Sequence, residues 1–435
     1  MQKGEPVTTT PERPRTTTRP TAHRPGPDVG PRVRRPVEAP ASRQGAKAVV
    51  AVRRLFAAET SEYFLLLGAT VFLVAFGLVM VLSSSSIQSG ADGGDFFARA
   101  SRQGLFALIG LPIMLILARL PVRFWRRWSW AAIVGSVFLQ LLVYVPGLRY
   151  GNGYNTNWIR IGPVTAQPSE FIKLALVVWF ATILARKQDL LRDWKHVAIP
   201  IIPVAVVAIG LVLGGGDLGT AMILFTIVLA AYFFAAVRLR IIAVFLLGAA
   251  LVAYSLSQIR SSRVDRIQVW LQGCTNPDDA LTSCYQTLQG WYSLAHGGVF
   301  GSGLGNSIVK WSWLPAADND FIFAVIGDEL GLVGAIVVLL LFVLLAFAFV
   351  RIIRMQRDMF PRVVVGGVMV WVIGQAFVNI AVVLGLLPVL GVPLPLVSAG
   401  GTALIGTMAA IGIVLSFARH HPDAADTGLR EAPAR

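Results

Sequence analysis

Charge is scarce in this chain. Asp, Glu, Lys and Arg make up only 14% of its 435 residues, against about 25% in soluble domains. With a mean hydropathy of +0.67, that shortage excludes an ordinary soluble protein and implies one embedded in a bilayer. Cysteine is scarcer still, with two residues, Cys274 and Cys284. A structural zinc site wants four ligands and only His296 lies near, so a cysteine-held metal is set aside. No internal repeat is visible, and the inverted-repeat signature of many transporters is missing. No cleavable leader is evident. The first apolar run is too long and too deep in the chain for one, so it is expected to stay as an anchor.

What the chain has instead is long apolar runs. "YFLLLGATVFLVAFGLVMVL" (Tyr63–Leu82) and "LGLVGAIVVLLLFVLLAFAFV" (Leu330–Val350) each reach roughly 30 Å as a helix, enough to cross the hydrocarbon core. They are continuously apolar and do not alternate, which points to helices rather than a barrel. Ten candidate spans follow, at about 62–83, 103–119, 128–146, 170–185, 197–213, 218–236, 240–257, 320–350, 363–386 and 400–418. The expected fold is therefore an all-α polytopic membrane protein.

The formal charge of +15 does not indicate nucleic acid, because of where the charge sits. Basic residues cluster in the N-terminal tail, Arg119–Arg127, Ala185–Lys195, Val237–Arg240, Arg351–Arg357 and Ala418–His421. Counting spans, all fall on one side, the positive-inside pattern, so both termini are expected in the cytoplasm. Residues 1–55, rich in Pro, Thr and Arg, lack the apolar residues to fold alone and read as a disordered basic tail. Residues 56–420 form the membrane domain, and 421–435 a short cytoplasmic tail.

Ionisable residues near spans are informative, since each costs about 2.5–3.5 kcal/mol at mid-helix on the insertion scale. "AQPSEFIKLAL" (Ala166–Leu176) opens the fourth span with Pro168 suited to a first helical position. Glu170 and Lys173, three apart, share a helix face; they read as an interfacial ion pair or as part of a site. In "GGGDLGT" (Gly214–Thr220), Asp217 reads as a helix cap or a functional acid. In "PLPLVSAGGTALIG" (Pro393–Gly406), Gly400 and Gly401 read either as an anion-binding helix start or as close helix packing.

The longest outer loop, about 258–319 between the seventh and eighth spans, carries Arg260, Arg263, Arg266 and Lys310. Those cations read either as part of a solvated loop or as a site for an anionic, lipid-borne headgroup such as a diphosphate. Loops beyond about 15 residues are usually functional or disordered, and the aromatics of "QGWYSLAHGGVFGSGLGNSIVKWSWLP" argue for order. The loop also holds "GCTNPDDALTSCYQ" (Gly273–Gln286). Outside the cell the two cysteines are expected to form a disulfide, closing a small ring worth roughly 2–4 kcal/mol.

Taken in order, "VMVLSSSS", "NWIRIGPVTAQPSEFIKLAL", "GDLGTAMI", "YQTLQGWYSLAHGGVFGSGLGNSIVKWSWLPAADNDFIFAVIGDELGLVGA" and "GLLPVLGVPLPLVSAGGT" resemble the SEDS family (shape, elongation, division and sporulation) over about residues 62–420. "SAGGT", where elongation members usually carry Tyr before the glycines, and the long basic tail are most like the division branch of actinobacteria. The resemblance implies ten helices and a peptidoglycan glycosyltransferase that polymerises lipid II at the division septum, on the outer face of the plasma membrane. It implies a class B penicillin-binding protein and other divisome proteins as partners, and a divalent cation, Mg or Mn. The rival readings are a lipid II flippase and a non-catalytic scaffold.

Counting back from Tyr285, the family's catalytic aspartate falls on Asp279, not Asp278; the latter reads as part of a turn after Asn276-Pro277. The motif's Glu and Lys fall on Glu170 and Lys173, and its acidic turn on Asp217. Where the family has Pro and two glycines after the aspartate, this chain has Ala280, Thr282 and Cys284. The expected chemistry is inverting displacement at an anomeric carbon, with Asp279 as general base and Arg263, Arg266, Lys310 and Lys173 facing the diphosphate.

Overall fold

The computed structural model describes residues 59–91, 97–152, 155–162, 164–257, 270–274, 284–307 and 314–419, all within one compact unit, Phe56–Arg435. Along the chain run α1 (Ser61–Ala91), α2 (Ala98–Leu117) and α3 (Val122–Leu141), then a small sheet of β1 (Arg149–Asn152), β2 (Asn155–Ile161) and β3 (Val164–Ala166). After it come α4 (Pro168–Arg186), α5 (Trp194–Ala198), α6 (Ile201–Gly214), α7 (Leu218–Phe234), α8 (Leu239–Ser257) and α9 (Tyr285–Gly297). Three helices close the bundle: α10 (Ile322–Met355), α11 (Met359–Val383) and α12 (Gly401–Ala418).

Among the described residues eight helical stretches are long and apolar enough to cross a membrane, with α5 and α6 joined as one. Two more, Leu218–Phe234 and Leu239–Gly248, are apolar but shorter. Each of the ten apolar runs in the sequence coincides with one of these stretches. The chain is a multi-pass membrane protein.

Burial separates central from peripheral helices. The spans of α4 and α12 are 83% buried and that of α11 67%, whereas α2 is 22% buried. A helix apolar all round is buried only if neighbours surround it, and α4, lying against α3, α7 and α11, is such a helix. Small residues allow the closest approach. A Cβ at Gly412 would stand 2.6 Å from the Met114 carbonyl, and one at Gly401 would enter the Phe106 ring.

Polar contacts divide the bundle into two ends. At one, Glu62 at the start of α1 meets Arg351 near the end of α10 at 2.7 Å, and Arg419 after α12 meets Glu59 at 2.9 Å. At the other, Ser83 late in α1 meets Glu329 early in α10 at 2.7 and 2.6 Å. Thus α1 and α10 run antiparallel, and one end gathers arginines while the other gathers carboxylates. The three-stranded antiparallel sheet, in the order β1-β2-β3, lies beside the last turn of α6: Thr156 N–H donates to Gly215 O at 2.9 Å and Asn157 Nδ2 to Val212 O at 2.7 Å.

Candidate active site

The carboxylate end is built from the first turns of several helices. Pro168 occupies the first helical position of α4, where its missing N–H costs nothing, and sets Glu170 and Lys173 on one face. Their charged atoms are 2.8 Å apart, and both side chains are buried to within a few per cent. Lys173 Nζ lies 4.8 Å from the centre of the Trp371 ring and 3.3 Å from Gln375 Oε1. Trp371 Nε1 donates to the same oxygen at 3.1 Å, while Gln375 Nε2 donates to Pro393 O at 2.9 Å. The pair that the sequence places on one face at the start of α4 is buried within the bundle.

Asp217 does cap α7, accepting from Thr220 N at 2.9 Å and Thr220 Oγ1 at 2.8 Å. It also accepts from Gln167 Nε2 at 3.0 Å, and Gln167 N–H donates to Thr402 Oγ1 at 3.2 Å. One polar chain therefore ties the starts of α4, α7 and α12 together, three residues before Glu170. Gly401 serves packing, and the Gly400 N–H donates to Gln103 Oε1 at 3.3 Å; the anion-binding reading of these glycines gains nothing from the geometry.

Ahead of α10, Asp318 pairs with Arg99 at 3.1 Å, and Asn379 Nδ2 donates to Asp320 O at 2.7 Å. The Asp320 side chain is half-buried, and its Oδ1 is enclosed without a hydrogen-bond partner. Burial first, then the charges of Asp217 and Asp318, push its carboxyl from 3.8 up to about 7. Between those values the native state holds a proton the unfolded chain has released, so stability falls as pH rises through the window and levels off above it. Asp320→Asn should therefore gain in unfolding temperature relative to the wild type between pH 5 and pH 8. A difference that stays flat with pH would contradict this origin.

Just inside α10, His296 Nδ1 lies 2.7 Å from Asp328 Oδ1. Beyond Glu329 the helix breaks at Gly331 (φ 69°, ψ −167°). The loop after α9 fills the break: Ser302 N–H donates to Asp328 O at 2.9 Å, Gly303 N–H to Glu329 O at 3.0 Å, and Leu332 N–H to Gly298 O at 2.9 Å. Cβ atoms at Gly297, Gly301 or Gly331 would overlap the facing backbone. Gly331 also holds a positive-φ, extended conformation that is essentially glycine's alone, costing other residues roughly 1–3 kcal/mol. Gly331→Ala should lower thermal stability by more than that strain alone; an unchanged unfolding temperature would show that the crossing yields easily.

Cys274 and Cys284 are joined by a disulfide with Cα atoms 5.7 Å apart. Trp270 Nε1 donates to Gly385 O at 2.9 Å and Gln286 Nε2 to Pro315 O at 3.1 Å, tying both flanks to the carboxylate end. Asp278 and Asp279, with Arg260, Arg263, Arg266 and Lys310, lie outside the described residues. Among the described residues no three His, Cys, Asp or Glu side chains group closely enough to hold a metal ion. Sequence reasoning did not single out Gln167, Trp371, Gln375, Asp328 or Glu329. The signal for the last two was present in "IGDELG", two acids in an otherwise apolar stretch.

A family model described as "Cell cycle protein", covering FtsW, RodA and SpoVE, matches residues 64–422. The chain belongs to the FtsW/RodA/SpoVE family. Among curated relatives it is 37% identical over 364 residues to a probable peptidoglycan glycosyltransferase FtsW of Mycobacterium tuberculosis, covering 84% of this chain and 69% of that one. It is 34% identical to stage V sporulation protein E of Bacillus subtilis over 365 residues, 83% and 98% of the two chains. Among solved structures it resembles a chain of a peptidoglycan synthase complex, studied for the structural coordination of polymerization and crosslinking, with a TM-score of 0.67, 26% identity and coverage of 81% and 96%. The rod shape determining protein RodA of Thermus thermophilus matches with a TM-score of 0.60, 25% identity and coverage of 82% and 96%. The buried ion pair, the capping aspartate and the glycine crossing thus belong to a family domain that spans almost all of the described residues.

Proposed function

We propose that this chain is a peptidoglycan glycosyltransferase that polymerises lipid II at the division septum, acting on the outer face of the plasma membrane with both termini inside. One observation carries the reading. Glu170, Lys173 and Asp217, drawn from two separate motifs, converge on the bundle end to which residues flanking the Cys274–Cys284 disulfide are fastened.

The reaction joins a sugar 4-hydroxyl to the anomeric carbon of a lipid-linked donor. The new C–O bond forms as the bond to the diphosphate breaks, with inversion. A hydroxyl is a poor nucleophile, so Asp279 takes its proton in the transition state. The departing diphosphate is already a weak base and needs cations rather than an acid; Arg263, Arg266 and Lys310 serve it. The polyprenyl tail stays in the bilayer. A glycan strand needs cross-linking, so a class B penicillin-binding protein is the fitting partner, in keeping with the synthase-complex likeness.

Proteoliposomes holding the purified protein and lipid II separate this reading from its rival. Glycan strands resolved on a gel are expected; headgroup translocation without polymer would instead make the chain a flippase.

A further inference from the structure

The arginine end of the bundle holds a cavity of about 220 Å³ lined by Arg126, Thr182, Ala185, Arg186, Gln188 and Asp358. Glu170 lies in the first turn of α4 and Arg186 ends it, so this cavity lies about 24 Å from the ion pair at 1.5 Å per residue. It belongs to neither the proposed chemistry nor the outer loop. Its size is below the ~300–1,000 Å³ of pockets for drug-sized ligands and suits a small polar group.

Its chemistry is that of an anion site. Two arginines, Arg126 and Arg186, line it with one carboxylate, Asp358, which pairs with Arg126. The Nε–H of Arg126, on the cavity lining, is enclosed without an acceptor. Enclosed donors left unpaired are costly, and an anion entering the cavity would supply an acceptor. The depth is that of lipid headgroups, since Phe124, Trp128 and Trp130 stand exposed on the first turns of α3, the placement of an interfacial aromatic belt. Basic pockets between membrane helices on the positive side take anionic headgroups.

We propose that this cavity binds the phosphate of an anionic phospholipid, with Arg126 and Arg186 as its cationic arms and Asp358 as the internal competitor that the lipid displaces from Arg126. Asp358 also caps α11 by accepting from Phe360 N–H at 3.1 Å, a role asparagine fills equally well.

The test uses the full chain in detergent, titrated with phosphatidylglycerol, phosphatidylcholine or inorganic phosphate, with binding read by native mass spectrometry and by unfolding temperature. Phosphatidylglycerol should bind and stabilise, and the other two should not. Arg126→Gln with Arg186→Gln should weaken phosphatidylglycerol binding about thirtyfold, taking the usual contribution of each basic residue near an anionic surface. Asp358→Asn should tighten it. If the arginine variant fails to fold in phosphatidylcholine, Asp358→Asn decides alone, and unchanged or weaker binding there overturns the proposal. Equal binding of phosphatidylcholine overturns it too, and stabilisation by inorganic phosphate matching that of phosphatidylglycerol would reassign the site to a free anion.

Discussion

Asp279→Ala is expected to abolish glycan formation from lipid II while leaving the unfolding temperature of the protein unchanged. A positioned base contributes about 10²–10⁴-fold, and without one the 4-hydroxyl must lose its proton to water. The variant should still bind substrate, since the cations are untouched. Turnover should fall and affinity should not. Asp279→Asn should be as inactive as Ala, because an amide keeps the shape and lacks the basicity. Asp278→Ala, next in sequence, should retain most activity. If polymerisation survived Asp279→Ala, the proton acceptor would have to be sought at Glu170 or Asp217.

The second large effect is on stability. Glu170→Ala should cost roughly 3–5 kcal/mol, the usual penalty for leaving one partner of a buried ion pair uncompensated. Here the abandoned charge is Lys173, enclosed among Trp371, Gln375 and Glu170. Glu170→Gln with Lys173→Met should recover most of that loss, because replacing a whole buried pair is often neutral. Thermal unfolding of the three proteins checks the ranking. Polymerisation by the double variant then separates two roles: recovered stability with lost activity marks the pair as part of the site, and recovery of both marks it as structural.

Helix positions were legible in the sequence because a bilayer leaves few options. Apolar runs must be helical, and each of them is. Local chemistry was legible where one residue acts on its neighbours, as with Pro168 opening α4 and Asp217 capping α7. Hidden from the sequence was whatever depends on a distant partner. The cover that α11 and α12 place over Glu170 and Lys173 needs Trp371 and Gln375, some 200 positions away. The break at Gly331 is invisible within a run that reads as one helix, because its cause is the backbone of 298–303 lying against it. The sheet Arg149–Ala166 escaped notice for a related reason: its strands are short, and a neighbouring helix end holds them.

All of the proposed chemistry requires the carboxylate end to lie outside the cell and the arginine end inside. Single cysteines at Leu304, after α9, and at Leu190, after α4, report the two ends; both positions are exposed. The native cysteines are bonded to each other and stay silent toward a thiol reagent. With a membrane-impermeant maleimide on intact cells, Leu304→Cys should label at once and Leu190→Cys only after permeabilisation. The reverse order would put Asp279 in the cytoplasm, out of reach of any substrate on the outer face, and the assignment of a polymerase site there would fall.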